Sequence, residues 1–121
     1  MDASVVLAAA EAAHEANRIY CEAIGDSSQV GWKDAEPWQR AAAVEGITAA
    51  LGGAGPEALH ETWAAALRLE GWSFGKEKSA IYKTHPCLVP YGDLSAEQRG
   101  KDILYGAVAR GMVAALEEAA R

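Results

Sequence analysis

The chain has 121 residues, half of them apolar, and a formal net charge of −6. That length supports one domain with a single core. The negative balance excludes a general affinity for nucleic acid or anionic membrane surfaces, and no apolar run approaches the roughly 20 residues of a membrane span. The opening "MDASVVLAAAEAAHEA" lacks a basic n-region and meets Glu11 early, so no signal peptide is expected. Cys21 and Cys87 alone give no disulfide framework, which implies reduced thiols in the cytoplasm. Alanine supplies much of the apolar count, leaving the four tryptophans as the expected anchors of core or pocket.

Residues 4–24 read as a first helix. Ala12, Ala16, Ile19, Tyr20 and Ala23 recur at helical spacing, with Glu11, Glu15, Arg18 and Glu22 on the other side and Gly25 as the stop. Trp32 is the bulky group of the loop that follows. A second helix is predicted from a cap at Asp34, with Pro37 in its first turn and Val44, Ile47 and Leu51 as its stripe; "GGAGP" ends it. Gly46 inside that helix predicts a close backbone neighbour. A third helix opens at Pro56 and presents Leu59, Trp63, Ala66 and Leu67. The helical period then lapses for about 23 residues, too long for an idle loop. Within this insert Ile81–Tyr82 and Leu88–Val89 predict a small β-hairpin stiffened by prolines. Ser95 and Gln98 form a capping-box pattern for a last helix bearing Leu104, Val108, Met112 and Ala115. The fold class is therefore mainly α: four helices with a short hairpin or irregular insert between the third and fourth.

Several motifs fail on context. "GWSFG" at 71–75 has the letters of a nucleophile elbow, but a helix precedes it where a strand is required. "GWSFGKE" falls one spacer residue short of a P-loop and carries Glu77 in place of the magnesium-binding hydroxyl. His85 and Cys87 have no further ligand at metal-binding spacing, so no metal or cofactor is expected. His85 is read as an imidazole holding the Pro86 turn through nearby backbone, and Cys87 as a small buried hydrophobe. The charge pattern is more informative. Four of the five lysines fall between residues 76 and 101, a window of net +2 in a chain of −6. Trp63, Trp72, Phe74, Tyr82 and Tyr91 flank it. Flat rings beside lysines, with a capped helix start at Ser95, suit a phosphate-bearing ligand. Core aromatics and solvated lysines account for the same letters equally well.

The order "HETWAAALRLEGWSFG" then "KTHPCLVPYGDLSAEQRGKD" resembles the RyR domain, the repeat of ryanodine receptors that also occurs as small free-standing bacterial and phage proteins. The family pattern joins a helix with H-x-x-W to a G-W-x-[YF]-G turn. It continues with a spacer, then [KR]-x-H-P-x-[LM]-V-P-[YF] and a final helix. His60, Glu61 and Trp63 match it, as do Gly71, Trp72, Phe74 and Gly75, and then Lys83, His85, Pro86, Leu88, Val89, Pro90 and Tyr91. The likeness covers residues 57 to about 116, and the upstream half resembles the extension of free-standing phage and prophage members. It divides the chain into an extension over 1–56 and a core over 57–121 within one compact unit. Phe74 replaces the common tyrosine, which removes a hydroxyl contact there, and the spacer "KEKSAIY" is less polar than usual.

The resemblance implies a cytoplasmic binding module for adenine nucleotides or ADP-ribose-derived signals, not an enzyme. One use is sequestering such a signal as a phage-encoded sponge; another is reporting occupancy to a partner. On this likeness Trp63 stacks a base, Lys83 and His85 face phosphates, and Trp72 and Tyr91 wall the pocket. His60, Phe74 and Lys101 complete the expected ligand-binding set. The partner expected is a small ligand, with neither nucleic acid nor membrane, and with a homo-oligomer as a plausible assembly. The competing reading is a protein-interaction or structural module without a small-molecule ligand.

Overall fold

The computed structural model describes residues 2–121. Four helices carry the fold: α1 (Ala3–Ala23), α2 (Pro37–Leu51), α3 (Pro56–Leu69) and α4 (Ala96–Ala119). Two-residue strands, β1 (Ser73–Phe74) and β2 (Thr84–His85), lie in the insert between α3 and α4. Among the described residues no helix is long and apolar enough to cross a membrane.

The starts of the helices follow their local chemistry. Asp2 accepts a hydrogen bond from Ser4 N at 2.8 Å and caps α1. Ser95 caps α4 by accepting from Gln98 N at 3.2 Å. α2 begins at Pro37 rather than near Asp34, because residues 32–34 close into a 3₁₀ turn first. Glu36 is its cap, and the reciprocal capping box stands there with Gln39, whose Oε1 accepts from Glu36 N at 2.8 Å. At α4 the Gln98 side chain is occupied elsewhere.

Small residues let the helices approach closely. The main core joins Ala9, Ala10 and Ala13 of α1 to Ile47 and Ala50 of α2, Leu59 of α3, and Ala109 and Val113 of α4. The buried face of α1 therefore differs from the predicted one. Ile19 is 59% exposed and Ala23 lies on the surface, while Cys21 is buried. α4 fixes the choice: Tyr20 Oη donates to Glu97 O at 2.7 Å, and Gly100 leaves room for that ring. Gly46 meets a side chain instead of the expected backbone. A β-carbon there would lie 3.1 Å from Tyr105 Cε1, and Tyr105 Oη donates to Ala43 O at 2.6 Å. A second cluster of Ala64, Leu67 and Leu88 is covered by Trp38, Trp63 and Trp72. The tryptophans thus roof the core as half-buried rings; alanines fill its centre.

The insert is ordered, but not as the predicted hairpin. β1 pairs with β2 in parallel, Ser73 opposite Thr84 and Phe74 opposite His85. Ile81 and Tyr82 sit in a turn, and Leu88 is buried outside any strand. The turn is tied by Ser79 and Thr84, which exchange backbone bonds of 3.0 and 3.1 Å.

Candidate functional site

α3 presents His60, Trp63, Ala64 and Leu67 on one side, a spacing that aligns residues over successive turns. His60 is 2% exposed, and its Nε2 donates to Val89 O at 2.7 Å. A carbonyl only accepts, so Nε2 carries the hydrogen. Nδ1 then faces Asp102 Oδ2 at 3.8 Å across the α3–α4 seam. Burial pushes the Asp102 carboxyl up to about 6, against the lowering influence of His60 and Lys101.

β2 carries His85, whose Nδ1 accepts from Cys87 N at 3.0 Å. The Pro86 turn is held in this way, as read from sequence. Burial first, then the charges of Lys78 and Lys101, push the His85 pKa down to about 3. The ring is neutral at ordinary pH, with Nδ1 as acceptor and the hydrogen on Nε2. Trp63 meets it edge-on at 4.9 Å between centroids, and Trp72 lies 6.5 Å from it. His60 stands 5.5 Å from Trp63 and 5.9 Å from Tyr91.

Lys101 of α4 completes the cluster. Its Nζ lies 6.0 Å from the Trp63 ring centroid and 3.6 Å from Cys87 Sγ. Among the described residues it pairs with no carboxylate. Cys87 Sγ donates in turn to Gln98 Oε1 at 3.2 Å. The cysteine is 5% exposed, as expected of a small buried group, yet its sulfur also links the turn after β2 to α4.

Of the predicted set, His60, Trp63, Trp72, His85, Tyr91 and Lys101 converge. Phe74 is exposed on β1. Lys83 donates through Nζ to Glu70 O at 2.7 Å and closes the end of α3. It does so from a φ of +54°, which few residues other than glycine adopt. Asp102 escaped the sequence reading because its partner lies 42 positions upstream with no local periodicity between them. Gln98 reads from sequence as a cap residue, and only the fold brings it to Cys87 as an acceptor.

Two hollows lie apart from this cluster. One, of about 60 Å³, is lined by Leu59, Asp102, Gly106 and Arg110 among others. A shallower groove between α1 and the 3₁₀ turn is lined by Glu11, Glu15, Arg18 and Trp32. There Trp32 N donates to Glu15 Oε1 at 2.7 Å, and Arg40 lies 5.4 Å from the indole. The described residues hold no group of three or more His, Cys, Asp or Glu arranged for a metal.

The RyR domain family model matches residues 50–113, from the end of α2 through most of α4. No curated protein matches the chain. The matched segment contains every residue of the convergent cluster and more than half of the sequence, and the chain belongs to the RyR domain family.

Proposed function

We propose that this protein binds a small nucleotide-like ligand, an adenine nucleotide or an ADP-ribose derivative, at the Trp63–His85–Lys101 cluster and does not turn it over. The observation that carries this reading is the Lys101 ammonium beside the half-buried Trp63 ring with no carboxylate partner. A cation held there by sulfur and aromatic contacts leaves its charge available to a phosphate, and a flat ring beside it suits a base. The neutral His85 supplies an Nε2–H donor without adding charge. His60 and Asp102 act from behind, fixing the Val89 carbonyl and with it the segment that carries Tyr91.

Thermal denaturation against adenosine phosphates, ADP-ribose and cyclic ADP-ribose tests the proposal. A ligand at a hundred times its Kd stabilises by about 2.7 kcal/mol. Lys101→Met keeps the aliphatic stem and is expected to weaken binding roughly tenfold or more, the scale of one lost charge-assisted hydrogen bond. The ligand should be recovered intact from denatured complex. Absence of a shift across the panel refutes the binding, and consumption of the ligand refutes its non-catalytic character.

A further inference from the structure

Exposed apolar side chains gather at the insert end of the molecule. Leu69 is 88% exposed, Phe74 56%, Ile81 88% and Tyr82 80%. Their backbones are contiguous, because Lys83 bonds Glu70 O at the end of α3 and Ser73 N donates to Lys83 O at 2.9 Å. The tip is fixed, not slack. Tyr82 N donates to Ser79 Oγ at 3.1 Å, beside the two Ser79–Thr84 backbone bonds. A turn held this firmly keeps Ile81 and Tyr82 in water, where they add nothing to the core. Contiguous apolar surface of this kind marks a site of association.

Charge identifies the occupant. Around these side chains stand Arg68, Glu70, Lys76, Glu77 and Lys83, two acids and three bases, while Lys78 is engaged by Asp26 at 3.4 Å. None of those five forms an ion pair among the described residues. The rim carries one net positive charge, so the chain's excess of acids, −6 overall, lies elsewhere. Two copies meeting through most other faces repel one another. At this end a twofold contact sets the acids of one copy against the lysines of the other, the self-complementarity an isologous interface requires. We infer that the insert end is a dimer interface with a second copy of this chain, centred on Ile81 and Tyr82.

Sedimentation equilibrium over a concentration series tests the interface. The wild-type mass should rise from 12.7 kDa toward twice that value. The double variant Ile81→Asp/Tyr82→Asp should stay at the monomer mass with an unchanged far-ultraviolet circular dichroism spectrum. Leu7→Asp, at a half-exposed apolar position on α1, should dimerise as wild type does. Lys76→Glu and Glu77→Lys should each weaken self-association, and their equimolar mixture should recover it as a heterodimer. A wild type that stays monomeric throughout overturns the inference. So does a dimer that survives the double variant or fails in Leu7→Asp, and so does a mixture that recovers nothing.

Discussion

A β-carbon added at Gly75 would come within 2.6 Å of the Thr84 β-carbon, a contact no side-chain rotation relieves. Thr84 cannot retreat easily, since its backbone N and O both bond Ser79 and its Oγ1 donates to Glu77 O at 2.9 Å. Gly75→Ala must therefore part β1 from β2 or loosen the turn. Overpacking of this kind costs roughly 1–3 kcal/mol, to be read as a lower urea midpoint at unchanged slope. At Gly92 nothing lies within 4 Å of the same added atom, and alanine there should stay within about 0.5 kcal/mol of wild type. The two glycines look alike in sequence. What separates them is a neighbour nine positions away, which only the folded insert reveals.

At the scale of elements, the Ser95 cap offers a direct test. Its Oγ satisfies Gln98 N, while the Gln98 side chain accepts from Cys87 rather than bonding back to Ser95. Ser95→Ala removes one cap bond and should destabilise by about 1 kcal/mol, measured by chemical denaturation. Local signals of this sort were legible throughout: prolines at the starts of α2 and α3, the stripe of α3, and the stops at Gly25 and Gly52–Gly53. Where the reading failed, a distant partner decided. α1 is alanine-rich on several sides, so α4 selects Ala9, Ala10 and Ala13 over the Ile19 face. The apolar pairs Ile81–Tyr82 and Leu88–Val89 suggest a hairpin, yet β2 pairs with Ser73–Phe74, two exposed residues with no strand periodicity. The candidate site divides in the same way. Its aromatics and Lys101 belong to a recognisable order of rare residues, whereas Lys83 was drawn away by a carbonyl at the end of α3.

For the whole molecule, the dependence of stability on pH tests the buried polar groups together. His85 titrates near 6.5 when unfolded and about 3 when folded, because burial and two lysines disfavour its charge. Its contribution is fully present above 6.5 and is lost as pH falls toward 3. Asp102 runs the other way, from 3.8 unfolded to about 6 folded. Its contribution is fully present below 3.8 and is lost as pH rises through 6. Between pH 4 and 6 the folded chain holds a proton on Asp102 and none on His85; the unfolded chain holds one on His85 and none on Asp102. The slopes of these two groups cancel. Asp26, held down to about 2 against its burial by Ser28 and Lys78, adds a further loss only below about 4. Asp102→Asn keeps a polar group facing His60 but removes one side of the balance. Its stability should gain on wild type by about 1.4 kcal/mol per pH unit between pH 4 and 6. Urea denaturation of both proteins across that interval measures the difference, and parallel curves would show that Asp102 is already ionised beside His60 in the folded chain.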